Sequence, residues 1–375
     1  MLRRLCACFA SLGLVAILLA FSSPGIAFAA SSGSGPTATQ AATKPATSKP
    51  LPPALDPKTY QHPNYTAAQL HQILLQKLAR LGRSAPPRST AASTINASYV
   101  SSTAYPVLFI HGISNTSSTD CGEWNSAKSF LKSKGWSGTL TSLQFYSHDT
   151  NCNANLASEA SNCTGYHDSG SSDGTNNEDI RHVSCELAWY IWDHFTQFGQ
   201  NVQVVAHSMG GLVTRWALYA TPFEPALPPF LLVQDIVTMG TPHDGAPPAY
   251  AFFYCSSCTQ GGQIETLMPF MQELINKGQN PQANDGTDWT MLGSQCDIAN
   301  VLNSNDTAWM TGGHKVIFKS PCYDHGGYMG DTATSSDASM LFCDFCGTPP
   351  VTYSTDNSSP HSLGNMFLAL ELSTW

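Results

Sequence analysis

Charge is scarce in this chain. Asp, Glu, Lys and Arg make up 11% of its 375 residues, less than half of the usual ~25%. The 17 Lys and Arg, against 26 Asp and Glu, gather into no stripe or cluster, and the formal net charge is −9. Nucleic acid is therefore excluded as an expected partner, since phosphate binding needs clustered cations. Long apolar runs are also missing. The run Leu12 to Phe21 is too short to span a bilayer comfortably, and Pro24-Gly25 breaks it. No internal repeat is visible, which argues against solenoids and propellers.

What the N-terminus does have is the pattern of an export signal. Arg3 and Arg4 precede the short apolar stretch, and Ala27-Phe28-Ala29 has the form of a cleavage site. Residues 1–29 are expected to be a signal peptide and the protein to be secreted. No Cys ends the apolar stretch, which argues against a lipoprotein anchor. Residues 30–60 are rich in Ser, Thr, Ala, Pro and Lys and read as a flexible linker. Within 61–98, Leu70, Ile73, Leu74, Leu78 and Leu81 recur at helical spacing. The expectation is an amphipathic helix packed on the main domain, or else a cleaved pro-segment, followed by a second linker. Residues 99–375 remain for one large α/β domain.

Of the 12 cysteines, Cys6 and Cys8 leave with the signal. The remaining even number in an exported chain reads as up to five disulfides. Local bridges are expected to close the loops after Cys121 and Cys255. The pairs Cys255-Ser256-Ser257-Cys258 and Cys343-Asp344-Phe345-Cys346 also have zinc-ligand spacing, but an oxidising compartment favours disulfides.

From residue 105 onwards, strand-like and helix-like segments alternate. Strands are expected at Tyr105–Ile110, Thr139–Tyr146, Asn201–Ala206, Leu232–Met239, Lys315–Lys319 and Val351–Ser354. Helices are expected at Trp124–Lys134, Glu178–Phe198, Leu212–Ala220 and Leu363–Leu372. This alternation predicts a mostly parallel, doubly wound sheet covered on both faces.

The strand at 201–206 runs directly into His207-Ser208-Met209-Gly210-Gly211, and a helix follows. This is the setting of a nucleophile elbow, G-x-S-x-G, with Ala206 in place of the first Gly. The turn is tight, so small residues are needed on both sides of the Ser. Ser208 is the candidate nucleophile. Phe109-Ile110-His111-Gly112-Ile113 ends an earlier strand in a second expected site loop. The backbone N–H groups of Ile113 and Met209 are the candidate oxyanion donors. His111 reads as a residue that orients this loop, and His207 as a poor base because the turn fixes its direction.

The runs Pro106–Gly112, Val202–Gly211 and Val237-Thr238-Met239-Gly240-Thr241-Pro242-His243 resemble the lipase and esterase branch of the α/β-hydrolases. The likeness is to secreted bacterial triacylglycerol lipases and inositol-deacylase-like hydrolases, good over 105–245 and looser beyond. It implies an α/β-hydrolase fold, ester hydrolysis through an acyl-enzyme and the chain order Ser, Asp or Glu, then His. His243 then comes too early for the base, and His314 precedes a strand. His361, between the last expected strand and the closing helix, is the expected base, with His325 as the alternative. Asp337 is the expected acid because Ser336-Asp337-Ala338-Ser339-Met340-Leu341 resembles the acid-bearing run of related lipases. Asp324 is its rival, and Asp331 or another carboxylate is a further choice.

Residues 245–312 are expected to form one cap or lid insertion before the last strands. Its apolar residues would either line an acyl pocket or pack among themselves. Neither cofactor nor metal is expected. The expected partner is a small-molecule or lipid ester, with transient contact at a lipid interface, and the chain is expected to be a monomer. An acyltransferase, a lipid-anchor or polyester hydrolase, and a non-catalytic binder are the alternatives.

Overall fold

The computed structural model describes residues 102–163, 166, 173–246, 255, 257–282, 287–297, 310, 312–331, 338–344 and 353–371. The expected signal peptide, the linker at 30–60, the helix within 61–98 and Asp337 lie outside the described residues, as do residues 247–254.

Nine strands form one sheet: β1 Val107–Ile110, β2 Leu140–Gln144, β3 Ala154–Asn155, β4 Val202–His207, β5 Val233–Met239, β6 Asp288–Ser294, β7 His314–Ser320, β8 Ala338–Asp344 and β9 Ser354–Ser359. Their order is β3-β2-β1-β4-β5-β6-β7-β8-β9. Pairing is parallel from β3 through β7 and antiparallel for β7–β8 and β8–β9. The helices are α1 Asn125–Ser133, α2 Ile180–His194, α3 Met209–Ala220, α4 Thr259–Gln263, α5 Pro269–Lys277 and α6 Ser362–Glu371. This is the mostly parallel α/β-hydrolase sheet with covering helices that the sequence predicted.

The central strands β1, β4, β5 and β6 are buried on both faces, and their side chains divide by parity, as a period of two requires. Leu108 and Ile110 of β1, Val204 and Ala206 of β4 and Trp289 and Met291 of β6 meet α2, α3 and α5 on one face. Val107 and Phe109, Val205 and Leu292 meet α1 and α6 on the other. The chain moves outward from β1 through β2 and β3, then returns to place β4 on the other side of β1. That reversal opens a crevice at the carboxyl ends of β1 and β4, where ligands bind in open α/β sheets.

Two expectations change. The segment 245–312 is not one insertion, because β6 lies inside it as a central strand between β5 and β7. Its sequence, Asp288-Trp289-Thr290-Met291-Leu292-Gly293-Ser294, carries polar residues and a Gly where a buried strand usually reads as continuously apolar. Phe270, Met271 and Leu274 of α5 join the main core, so they do not line a separate lid. The last strand also shifts, from 351–354 to Ser354–Ser359, and a further strand, β8, precedes it.

The expected bridges after Cys121 and Cys255 form as Cys121–Cys152 and Cys255–Cys258. Cys163–Cys185 and Cys296–Cys322 are also bonded. Cys255 and Cys258 are therefore not zinc ligands. No helix among the described residues is long and apolar enough to cross a membrane.

Arg215 of α3 is fully buried. Its guanidinium donates to the carbonyls of Gly278 (2.7 Å), His243 (2.7 Å) and Leu274 (2.8 Å). It thus caps the carboxyl end of α5, where a cation is favoured, and ties that end to the loop after β5. Arg215→Ala would leave three buried carbonyls without this donor. Urea unfolding is expected to show a stability loss of about 3 kcal/mol or more. A loss below about 1 kcal/mol would show that the cap contributes little.

Candidate active site

Ser208 joins β4 to α3 with φ 54° and ψ −128°. A β-carbon resists this region, and such conformations persist where the surroundings over-determine them. Its N–H donates to the Met239 carbonyl at 2.9 Å, which fixes the turn to the end of β5. Gly210 is required for a reason the sequence did not show. A Cβ there would lie 2.5 Å from the His111 carbonyl oxygen and 2.6 Å from that of Ile110. The crowding is with the end of β1, not with Ala206. At Gly112 a Cβ would come within 2.6 Å of the Ser208 Cβ. The loop after β1 therefore passes directly against the nucleophile.

Ser208 Oγ lies 2.9 Å from Nε2 of His325. On the other side of that ring, Nδ1 lies 3.0 and 3.1 Å from the two carboxylate oxygens of Asp297. Asp297 is buried and also accepts the Tyr328 hydroxyl at 2.9 Å. With an ionised Asp297 as acceptor, the proton belongs on Nδ1, and the Nε2 lone pair is left facing the Ser208 hydroxyl. The three groups follow β4, β6 and β7, all at the carboxyl edge of the parallel strands.

The ring that faces Ser208 is that of His325 and not the expected His361, and Asp297 is the carboxylate on its far side. His361 instead places Nδ1 2.7 Å from Asp331, whose same oxygen accepts the Tyr323 hydroxyl at 2.7 Å. The physical reason is the sheet's end. β9 returns to the same edge as β7, but two strand spacings further from Ser208, roughly 10 Å. His361 thus sits after the last strand, whereas the ring facing Ser208 follows the last parallel strand. The Asp324 carboxylate lies against Gly327. Asp297 was missed because it follows β6. Its position beside Cys296 was the available signal, since the Cys296–Cys322 bridge joins the Asp297 loop to the His325 loop.

Two further histidines behave as the sequence suggested. His111 is buried, with Nε2 2.8 Å from Asp149 and its ring stacked on Phe145 at 3.8 Å between centroids. Asp149 in turn accepts the N–H groups of Thr119 and Tyr146, so His111 fastens the loop beside Gly112. Burial first, then the neighbouring His325, pushes the His207 pKa down to about 3. The ring is therefore neutral at working pH, and Nε2–H donates to the His325 carbonyl at 2.6 Å. It thus holds the His325 loop, and its ring is a poor proton acceptor.

Residues 180–260 match the model of the PGAP1-like alpha/beta domain. Among solved structures, the chain is similar to Bacillus licheniformis lipase BlEst2 in its mature form. Identity there is 18%, over 52% of this chain and 67% of that one, with TM-score 0.34. Aspergillus fumigatus lipase B shows 16% identity over 57% of this chain and 48% of its own, with TM-score 0.36. Legionella pneumophila phospholipase PlaB shows 12% over 72% and 60%, with TM-score 0.40. The chain thus spans about half to two thirds of these proteins. No curated protein sequence matches it.

A fluorophosphonate probe reads the Ser208–His325 contact directly. His325→Ala is expected to slow labelling of Ser208 by about 10³-fold or more, and His361→Ala to change it by less than threefold. Equal slowing in both variants, or slowing in His361→Ala alone, would return the role to His361.

Proposed function

We propose that the chain is a secreted carboxylic ester hydrolase that works through an acyl-enzyme on Ser208, with His325 as base and Asp297 as the acid that orients it. The observation that carries this reading is the continuous hydrogen-bonded line from Ser208 Oγ through both ring nitrogens of His325 to buried Asp297.

In the reaction, His325 Nε2 takes the Ser208 proton as Oγ adds to the ester carbonyl. The charge on the carbonyl oxygen is met by the N–H groups of Ile113, in the loop packed on Ser208, and Met209, at the start of α3. Such donors act on charge absent from the ground state and therefore lower the barrier. The imidazolium then protonates the departing alkoxide, and the C–O bond breaks. Water, deprotonated by His325, adds to the acyl-enzyme, and Ser208 leaves with the proton returned. Asp297 holds the Nδ1–H tautomer throughout and stabilises the charged ring. Tyr328 and His207 hold the acid and the base in place.

The substrate class is an acyl ester, lipid or small molecule. Leu267 and Met268 are exposed before α5, and they supply apolar area for transient contact with a lipid interface. All proposed catalytic groups come from one chain, so a monomer suffices. The disulfides fit an oxidising, extracellular location.

A panel of p-nitrophenyl esters of increasing acyl length, with emulsified triglycerides, tests the activity. At least one ester is expected to be cleaved, with kcat falling about 10⁴-fold or more in Ser208→Ala and substantially in Asp297→Asn. Retained turnover in Ser208→Ala, or no cleavage of any ester by a wild type that labels at Ser208, would remove the hydrolase reading.

A further inference from the structure

A second polar cluster lies at the start of α2, among residues that the ester chemistry does not use. Asp173 and Glu178 precede the helix and His182 stands in its first turn. A donor atom of each lies within 4.8 Å of the others. His182 Nδ1 is 2.6 Å from Glu178 Oε1 and 3.7 Å from Asp173 Oδ1. The side chains of Glu178 and His182 are 1% exposed, while that of Asp173 is 45% exposed. The donors therefore converge in a buried place with one side open to solvent.

Glu186 supplies an independent observation. It is one turn beyond His182, on the same face of α2. It is 1% exposed, and neither of its carboxylate oxygens has a hydrogen-bond partner. Side chains on a helix lean towards its N-terminus, which brings this carboxylate to the side of the cluster, within reach of the Glu178 and Asp173 charges. The charged groups that act on it are themselves carboxylates, with Glu178 and Asp173 foremost. Burial first, then the Glu178 and Asp173 charges, hold this carboxyl well above the usual carboxylate range, and a cation bound beside it would favour its ionised form.

We propose that Asp173, Glu178 and His182 bind one divalent cation of the first transition row, best matched by Zn²⁺, with Glu186 as the adjacent charge that favours it. The donor set selects the metal class. Imidazole with carboxylates suits zinc, whereas calcium and magnesium take oxygen ligands. Solvent at the Asp173 side provides an entry path and a remaining coordination position. The same loop bears on the candidate active site. Gly174 N–H donates to Glu178 Oε2 at 2.7 Å, and Asn176 Nδ2 donates to the Ser114 carbonyl at 3.0 Å. A cation that fixes Asp173 and Glu178 would thus stiffen the support of the loop beyond Ile113.

The proposal is independent of the ester reading, and its readouts are metal binding and thermal stability. The full chain is stripped with a chelator, and Zn²⁺ alone is titrated against a chromophoric competitor. One Zn²⁺ per chain is expected, with Tm raised by about 5 °C at a hundredfold excess over Kd. Asp173→Asn, at the half-exposed ligand, should keep the metal-free Tm within about 2 °C and weaken Zn²⁺ binding by at least tenfold. Glu186→Gln should also weaken it, and Ca²⁺ should not compete. Absence of stoichiometric Zn²⁺ binding, or equal affinity in wild type and Asp173→Asn, would overturn the assignment. In that case His182 serves Glu178 as an ion-pair partner without a metal.

Discussion

The backbone at Ser208, with φ 54° and ψ −128°, is the constraint around which the site is arranged. A non-glycine residue held there costs about 1–3 kcal/mol, so its neighbours must hold it. They do so from three sides. The Met239 carbonyl receives its N–H. The end of β1 closes against Gly112 and Gly210 at distances that leave no room for a β-carbon. α3 begins immediately after it, packed into the core by Leu212, Val213 and Trp216. The strained turn lifts the hydroxyl out of the strand and presents it at the crevice between β1 and β4.

From that point the parallel sheet determines what can reach the hydroxyl. Loops after β6 and β7 emerge at the same edge as Ser208. The His325 loop must fold back over the edge to reach β4. The Cys296–Cys322 bridge and the His207–His325 hydrogen bond hold it there. Asp297 stays buried under the ring, with the Tyr328 hydroxyl on one oxygen. The antiparallel strands β8 and β9 extend the sheet away from the site, and the His361–Asp331 pair fastens the start of α6 at that far end.

Much of this was legible in the chain itself. The strand before His111-Gly112 is a continuous apolar run, and the one before Ser208 is interrupted only by Gln203; both are buried on both faces, so their place and the elbow could be read directly. The part of His111 in orienting its loop was also read from the sequence, as was His207 being a poor base, since the turn fixes its direction. The candidate acid and base were harder for a specific reason. β6 breaks the apolar pattern with Asp288, Thr290 and Gly293, and a missed central strand hides the residue that follows it. The antiparallel extension then made the last strand in sequence differ from the last parallel strand in space. Chain order alone could not separate His325 from His361, because both follow strands that end at the same edge. The cluster at 173–186 was illegible for another reason, since its spacing matches no short metal motif and a loop and a helix turn bring it together.

The most direct test of the account is the position of the acyl group during turnover. A slowly deacylating ester, mixed with the full chain and quenched in acid, should leave one acyl mass on the peptide that contains Ser208. The adduct should be missing when His325 is replaced by Ala. Turnover with no adduct on that peptide, or an adduct on a different residue, would contradict a serine acyl-enzyme at this elbow.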